Sequence, residues 1–429
     1  MFDLSLRLLG LGLLLCWLTP AAVFVVQTFA ALLPGRRPPQ LEGKTRSGAV
    51  VLVPAHNEGP PVAETIAALM PQLQENDRVI VIADNCTDDT GSSAVRGATV
   101  DGALDPRFSL LERHDAQRRG KGYALDFALD RLVEEAPDGR LPAAVFVLDA
   151  DCFVSPGGVD RILTACEASG RAVQGRTLCE RAAGTDADAA ELMAISELGM
   201  LFKNHIRPRG SSRMRLPCQL MGTGMALPGP LLERRRAEAA VVGGGAFGGD
   251  LAEDMQMGVD ATIAGAPPFF LPDVRVTSPL PTSLRGFDSQ RTRWEQGHLQ
   301  TLVRGVPRLL KAGLRGDDLR ALGLAADLAV PPFSMLVAGW FPVAVVLAFV
   351  GWQTGFLAPL ALHVAAGAAI ATAVIAGWWK FGRDRVPLSA LASVPRFVLR
   401  KLPIYSRFLT NRVETEWVRT ERAAESVPR

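Results

Sequence analysis

Five residues near position 290 combine the side chains that a sugar diphosphate requires. Residues 290–294, with sequence QRTRW, place two arginines, an aromatic ring and an amide close together. The planar guanidinium group of Arg293 donates to two diphosphate oxygens at once, and Gln290 adds an amide nearby. The indole ring of Trp294 offers the flat apolar surface on which a sugar ring packs. A surface helix with an arginine lying over a tryptophan would show the same five residues, so the motif depends on its context.

Three acidic motifs precede this stretch. Asp84 follows a short apolar run, Asp149 and Asp151 share one short turn, and residues 253–254 are a Glu-Asp pair. Two neighbouring carboxylates suit Mg²⁺ or Mn²⁺, because these ions bind through one or two carboxylates together with substrate phosphates. Such a metal acts as a Lewis acid on a departing diphosphate. The motifs therefore indicate a nucleotide-sugar site, although Asp84 alone also fits a turn residue of its polar loop.

The order of these motifs, ending in QRTRW, resembles the membrane-bound family-2 glycosyltransferases, which include cellulose, chitin and hyaluronan synthases. The resemblance covers most of residues 49–300 and is specific as a set. It implies a GT-A-like catalytic domain, a UDP-sugar donor, a divalent cation (Mg²⁺ or Mn²⁺) and an inverting transfer that forms a β-linkage. The sequence departs from the family at Ala252, where threonine is common, but both acids that follow are in place.

The resemblance also assigns roles to the acidic residues. It implies that Asp254 is the general base for the acceptor hydroxyl and that Glu253 is its orienting neighbour. Asp151 is the implied metal ligand, Asp149 a contact on the nucleotide side, and Asp84 a contact to uracil or ribose. The same likeness places Gly222, Thr223 and Trp294 on the acceptor side of the site. The remaining candidates for nucleotide-sugar binding are Glu58, Lys121, Gln290 and Arg293, although a helix cap accounts equally well for the sequence around Lys121.

Alternating strands and helices must position these residues. Short apolar runs predict strands at residues 49–53, 78–83, 108–111 and 143–148, with helices between them at 61–73, 89–96 and 123–135. This alternation predicts an α/β fold with a doubly wound, mostly parallel sheet. Ligands bind beyond the carboxyl ends of the strands in such sheets. Glu58, Asp84 and Asp149 all follow predicted strands, as site residues should.

Long uncharged segments flank this region. Residues 8–33 and 328–379 contain no Lys, Arg, Asp or Glu, and residues 351–355 interrupt the second segment. We therefore predict three transmembrane helices, the last two forming a hairpin. A cleaved signal peptide is the alternative for the first segment, with Arg7 before its apolar core. Basic residues at 36–46 and 380–385 predict an external N-terminus and a cytoplasmic catalytic domain in the plasma (inner) membrane.

The pattern divides the chain into five parts. They are an N-terminal membrane helix (1–40), a cytosolic catalytic domain (41–283), interfacial helices with QRTRW (284–325), a membrane hairpin (326–380) and a basic amphipathic tail (381–429). Within the catalytic domain we predict a helix at 186–204 and a strand at 218–226. The clustered basic side chains at residues 205–215 predict a loop that is either solvated or in contact with the phosphates of a lipid. Residues 243–248 match a dinucleotide-binding fingerprint, but the absence of a strong preceding strand disfavours that function.

Composition narrows the partners. The net charge is +2, which gives no bulk attraction to nucleic acid, and the six cysteines lack metal-site spacing. The expected partners are a nucleotide sugar, a glycan or polyprenyl-linked acceptor, the lipid bilayer and other polysaccharide-assembly proteins. The expected product is an exopolysaccharide or another cell-envelope glycan. A processive synthase and a single-sugar transferase both fit, and a non-catalytic nucleotide-sugar-sensing scaffold is the alternative of another class.

Overall fold

The computed structural model describes residues 2–34, 45–181, 187–241, 243–281 and 284–409. The strands are β1 Val50–Ala55, β2 Arg78–Asp84, β3 Thr99–Val100, β4 Ala103–Leu104, β5 Phe108–Arg113, β6 Ala144–Val147, β7 Phe153–Val154, β8 Val173–Glu180, β9 Met225–Pro228 and β10 Phe269–Pro279. Eight of these form one sheet in the order β5-β2-β1-β6-β9-β8-β10-β7, and β3 and β4 form a separate small hairpin.

The helices surround this sheet and extend from it. They are α1 Phe2–Leu32, α2 Pro61–Leu69, α3 Thr90–Gly97, α4 Lys121–Glu135, α5 Gly158–Ser169, α6 Ala187–Leu201, α7 Arg207–Arg213, α8 Gly229–Ala240, α9 Glu253–Ile263, α10 Leu284–Gly316, α11 Leu319–Leu328, α12 Phe333–Thr354, α13 Ala358–Gly377 and α14 Val394–Leu409. Two π-helical segments, Phe202–Ile206 and Trp378–Gly382, continue α6 and α13.

The predicted doubly wound sheet is confirmed. Strand β1 pairs in parallel with β2 and β6, and β2 pairs in parallel with β5. Alternate residues of β1 enter different cores, because Val51 and Val53 pack in the cluster that contains α2, whereas Leu52 packs in the cluster that contains Leu125 of α4. Burial on both faces explains why these strands are continuous apolar runs.

The other half of the sheet departs from the prediction. Strand β9 is antiparallel to both β6 and β8, and β10 is parallel to β8 but antiparallel to β7. The predicted strand at 218–226 begins only at Met225, because Gly222 and Gly224 adopt positive φ angles of 77° and 64° and turn the chain beforehand. The sequence analysis did not predict β8 or β10.

Within the described residues, three helices are long and apolar enough to cross a membrane. Their bounds are Asp3–Leu32, Phe333–Thr354 and Ala358–Gly382. The first is continuous through Pro20. The predicted interruption of the second segment is a turn at Gly355, which caps α12 in the left-handed conformation with φ 70°. The basic residues 36–44, the tail from residue 410 and residues 282–283 lie outside the described part of the chain. The division into five domains stays a prediction.

The predicted basic loop at 205–215 is wrong. Its residues belong to the π-helical segment and to α7, and Arg207 is only 4% exposed. The Arg207 guanidinium group donates to the Asp327 carboxylate at 2.6 Å and to the Gln27 side chain at 2.8 Å. A buried arginine requires such partners, and these partners come from α1 and α11. Arg207 therefore connects α7 to α11 and to α1, a candidate membrane helix.

Candidate active site

All twelve residues that the sequence analysis selected line two adjoining cavities at the carboxyl ends of the strands. The smaller cavity, of about 180 Å³, is lined by Glu58, Asp84, Lys121, Asp149, Asp151, Gln290, Arg293 and Trp294. The larger, of about 510 Å³, is lined by Lys121, Asp149, Gly222, Thr223, Glu253, Asp254, Arg293 and Trp294. The two cavities share four of these side chains. Residues from β2, α4, α9 and α10 and from the loops after β1, after β6 and before β9 therefore meet at one place, as expected for a site at this edge of an α/β sheet.

Lys121 lies at the centre of this arrangement. Its ammonium group donates to the Asp149 carboxylate at 2.5 Å and to the Gly222 carbonyl at 2.6 Å, and it lies 4.0 Å from the Glu253 carboxylate. Burial lowers the pKa of Lys121, but Asp149 and Glu253 outweigh that effect, so the net shift is upward and the cation persists. Lys121 therefore does more than begin α4. It binds Asp149, at the end of β6, to residues 221–224, which we call the glycine loop.

Gly222 fits this position because it has no side chain. A Cβ atom added there would lie 3.3 Å from the Asp254 carboxylate and 3.4 Å from the Lys121 ammonium group. The backbone of the same loop is held by Gln174 of β8, which donates to the Thr223 carbonyl at 2.9 Å and accepts from the Met221 amide at 2.8 Å. Gln174 is fully buried, and the sequence analysis missed it.

Glu253 and Asp254 open α9 beside the Lys121 ammonium group. Burial raises the pKa of Glu253 to about 7, an effect that Asp254 increases and Lys121 opposes. Burial also raises the pKa of Asp254, against the opposing charges of Lys203 and Lys121. A carboxylate with a raised pKa is a better proton acceptor near neutral pH, which suits a general base.

The turn after β6 brings two carboxylates together. One ligand atom each from Asp149, Asp151 and Cys152 lies within 4.8 Å of the others. The backbone amide of Asp149 donates to the Thr223 hydroxyl at 3.0 Å, which fixes this turn against the glycine loop. The two carboxylates are hard oxygen ligands of the kind that Mg²⁺ and Mn²⁺ prefer, so the residues present fit such an ion.

Asp84 is bound by an arginine that the sequence analysis did not consider. The Arg113 guanidinium group, at the end of β5, donates to the Asp84 carboxylate at 2.6 Å, and both side chains are 7% exposed. Asp84 still lines the smaller cavity together with Glu58. It is thus more than a turn residue, but its contact with uracil or ribose stays a prediction.

The two arginines of QRTRW face different surroundings in α10. The Arg291 guanidinium group lies 5.7 Å from the centre of the Trp294 ring and 3.6 Å from the Glu295 carboxylate. Arg293 lines both cavities, and burial lowers its pKa against the opposing charges of Glu253 and Asp149. One arginine therefore packs on the tryptophan, and the other faces the two cavities, but the binding of a diphosphate by Arg293 stays a prediction.

The glycine-rich stretch at 243–248 is a loop between α8 and α9 that follows no strand, so it is not a dinucleotide-binding motif. Asp126 of α4 holds this loop by accepting from the amides of Phe247 at 3.0 Å and Gly248 at 2.9 Å. The loop leads directly into Glu253 and Asp254. Its attachment to α4 places the start of α9 next to Lys121.

Two family models match the chain. The model described as Glycosyl transferase family 2 matches residues 50–218, and the one described as Glycosyl transferase family group 2 matches residues 144–378, more than half of the chain. The chain belongs to glycosyl transferase family group 2. It is therefore a glycosyltransferase that uses a nucleotide sugar. Among curated proteins, no sequence matches the chain.

Solved structures show that this glycosyltransferase shares its fold with a known enzyme. The mannosyltransferase PcManGT from Pyrobaculum calidifontis, solved in complex with GDP-Man and Mn2+, is 20% identical over 96% of this chain and 99% of its own, with a TM-score of 0.56. The crystal structure of a mycobacterial protein is 18% identical over 64% of this chain and 80% of its own, but its TM-score of 0.38 is too low to establish a common fold. The likeness to PcManGT confirms the GT-A-like fold.

We expect Glu253→Gln to change how the stability of the glycosyltransferase depends on pH. The folded-state pKa of about 7 lies above the ordinary 4.5, so the folded protein binds this proton more tightly than the unfolded chain. The resulting stabilisation is complete below the unfolded pKa and is lost as pH rises through about 7, with an upper size of about 3 kcal/mol. The melting temperature of the wild type should therefore fall relative to that of the variant as pH rises.

Thermal unfolding of both proteins in one detergent, at several pH values between about 5 and 8, measures this difference. Glu134→Gln is the matched control, because its side chain is 63% exposed and should leave the pH dependence unchanged. Parallel curves for the wild type and Glu253→Gln would show that Glu253 titrates as an ordinary carboxyl.

Proposed function

We propose that this glycosyltransferase moves a hexose from a UDP-sugar to a glycan or lipid-linked acceptor by inversion, forming a β-linkage in exopolysaccharide or other cell-envelope glycan synthesis. The supporting observation is the distribution of acids between the cavities. Asp151 lines only the smaller one, Asp254 lines only the larger one, and Arg293 and Trp294 line both. Leaving-group binding and acceptor activation thus have separate places on either side of a shared wall.

In the proposed reaction, an acceptor hydroxyl in the larger cavity attacks the anomeric carbon of the donor. The bond from this carbon to the diphosphate oxygen breaks, and the nucleoside diphosphate leaves with the electron pair. Asp254 takes the hydroxyl proton, and Glu253 orients the Asp254 carboxylate. Arg293 and Lys121 stabilise the negative charge that develops on the diphosphate. Trp294 provides the surface on which the acceptor ring packs, next to Gly222 and Thr223.

A divalent cation fits this scheme at Asp151, with Asp149 beside it. The structure of PcManGT contains Mn2+ and GDP-Man, which supports a metal and a nucleoside diphosphate sugar for this chain but not the choice of uracil as base. When bound, Mg²⁺ or Mn²⁺ neutralises charge on the leaving diphosphate. Because Asp149 also accepts from Lys121, we assign it to the nucleotide side and Asp151 to the metal.

A sensing scaffold fits this site less well than an enzyme does. A scaffold needs to bind a nucleotide sugar, but it has no need of a buried base such as Asp254 beside the acceptor cavity. Glu253, Asp254 and Lys121 form a compensated buried cluster, whose assembly costs desolvation free energy. Such a cluster is expected where proton transfer takes place.

Asp254→Asn should abolish transfer and preserve donor binding. The amide keeps the shape of the carboxylate but cannot accept the proton, and a general base is worth about 10²–10⁴-fold in rate. Single-turnover transfer, UDP-sugar affinity and melting temperature should be measured on one preparation, with Asp138→Asn in an exposed loop as the control. Near wild-type transfer by Asp254→Asn would remove this residue from the mechanism.

Asp151→Ala should remove the effect of metal on donor binding, since it deletes the proposed ligand. Calorimetric titration with UDP, with and without Mn²⁺, measures this dependence. The control is Asp138→Ala, which changes the same residue type far from the cavities. If Mn²⁺ strengthened UDP binding equally in Asp151→Ala and the control, the metal would lie elsewhere.

We further propose that the three apolar helices span the plasma (inner) membrane with the catalytic domain in the cytoplasm. Lys380 lies near the end of the third span, Arg383 and Arg385 follow it, and these basic residues support this orientation. Single cysteines introduced as Asp3→Cys and Thr420→Cys should react with an impermeant reagent from opposite sides of the membrane, the second from the cytoplasm. Reaction of both from one side would contradict the three-span topology.

A further inference from the structure

A third cavity, of about 680 Å³, lies between the candidate membrane helices. Its volume is in the range of about 300–1,000 Å³ that small-molecule sites occupy. Side chains from the candidate membrane helices α1, α12 and α13 line it together with side chains from α6, α7, α10 and α14. The wall is predominantly apolar and includes Trp17, Phe24 and Trp340. Such a surface favours a hydrocarbon chain over a polar polymer.

This apolar cavity opens along α13. Val364 and Ile375 line it, and they are 48% and 57% exposed, so the opening lies on a surface that the membrane would cover. Gly367 contributes to its shape, because a Cβ atom there would lie 2.4 Å from the Trp340 indole nitrogen. A lipid chain could thus enter from the side without passing through water.

The apolar cavity adjoins the larger catalytic cavity. Met200, Lys203 and Trp294 line both. Two of these residues suit the junction between a lipid chain and a sugar, since Trp294 is a platform for a ring and Lys203 is a cation. Within the described part of the chain, Lys203 makes no hydrogen bond or ion pair. Its ammonium group is therefore available to an anion at the junction.

A buried polar group also faces the apolar cavity near this junction. His298 lines the cavity, is 2% exposed, and its Nε2 atom has no hydrogen-bond partner among the described residues. Glu295 lines it as well, and its carboxylate lies 3.5 Å from Lys401 and 3.6 Å from Arg291. An unpaired buried polar atom is unfavourable unless a ligand completes its hydrogen bond. The cavity thus has a polar end beside the catalytic site and an apolar end toward the membrane.

We propose that the acceptor is an amphiphile of the polyprenyl-phosphate type. Its hydrocarbon chain occupies the apolar cavity, its phosphate lies at Lys203, and the sugar that carries the accepting hydroxyl reaches Trp294 and Asp254. This assignment rests on the proposed glycosyl transfer and specifies its acceptor. The cation at Lys203 and the wall that the two cavities share support an anionic amphiphile. A bulk phospholipid also carries a phosphate, but its head group lacks the accepting sugar that reaches Trp294 and Asp254.

Filling the apolar cavity tests the assignment. Val337→Trp on α12 places an indole in the cavity, whereas Val345→Trp changes the same residue type on the same helix at a position that is 53% exposed and outside the cavity. With native membrane lipids as acceptors, we expect Val337→Trp to lower the transfer of radiolabelled sugar into the organic-extractable fraction at least tenfold. UDP-sugar affinity should not change, and Val345→Trp should behave as the wild type.

A second pair of variants distinguishes a filled cavity from a folding defect in Val337→Trp. Ala368→Phe on α13 fills the cavity, and Ala365→Phe is its control outside the cavity on the same helix. Loss of transfer in both cavity variants, with wild-type melting temperatures in at least one, supports the assignment. Undiminished lipid labelling in a folded cavity variant overturns it, as does a labelled product that is a water-soluble polysaccharide.

A binding measurement separates this proposal from the proposed function. A diazirine-bearing polyprenyl phosphate should crosslink to α12 or α13 of the wild-type protein, and unlabelled polyprenyl phosphate should compete better than the uncharged polyprenol. Lys203→Gln should abolish that preference. Equal competition by both lipids in the wild type overturns the assignment of phosphate to Lys203. If the crosslink forms as expected but the wild type neither binds nor consumes UDP-sugar, the proposed transfer fails and the lipid site stands.

Discussion

The ammonium group of Lys121 is the interaction on which the candidate active site depends. It contacts the Asp149 carboxylate and the Gly222 carbonyl and lies near Glu253, so it joins the end of β6, the glycine loop and the start of α9. Asp149, Glu253 and Asp254 all act on this cation, and its positive charge offsets the repulsion among the three carboxylates. A Cβ atom at residue 222 would lie close to both Asp254 and Lys121, and the φ angle of 77° there strains any residue other than glycine. Lys121 therefore holds Asp149, Gly222 and Glu253 close together.

A second buried charge joins the catalytic site to α1, a candidate membrane helix. The Asp327 carboxylate accepts from Gln27 at 2.7 Å, from Arg207 at 2.6 Å and from Gln219 at 2.8 Å. These partners belong to α1, to α7 and to the segment that leads into the glycine loop. Loss of one of these partners would leave the buried Asp327 carboxylate incompletely paired, and this would lower the stability of the fold. Gln219 lies three residues before Gly222. The contacts of Asp327 therefore connect α1 to the glycine loop that lines the larger catalytic cavity.

The apolar pattern of the sequence predicted strands that only pack in the core. It missed segments whose buried polar side chains hold the site. Strand β1 is an apolar run because both of its faces are buried, so the pattern was sufficient. Strand β8 was missed because its buried Gln174 interrupts the apolar pattern in order to hold the glycine loop. The stretch at 205–215 was misread because clustered arginines usually indicate a solvated surface. The partner that buries Arg207 lies 120 residues further along the chain, and no local pattern reveals it. The strand-end acids were found because their position follows from sheet topology.

Helical spacing in α10 explains how one motif serves two cavities. Arg291, Trp294, Glu295 and His298 stand at positions i, i+3, i+4 and i+7 of one helix face and line the apolar cavity, whereas Gln290, Arg293 and Trp294 line the catalytic ones. Trp294 alone among the QRTRW residues lies on both faces. A shift of α10 by one position would turn Arg293 away from the two catalytic cavities. The register of this helix therefore has to satisfy the catalytic cavities and the apolar cavity at the same time.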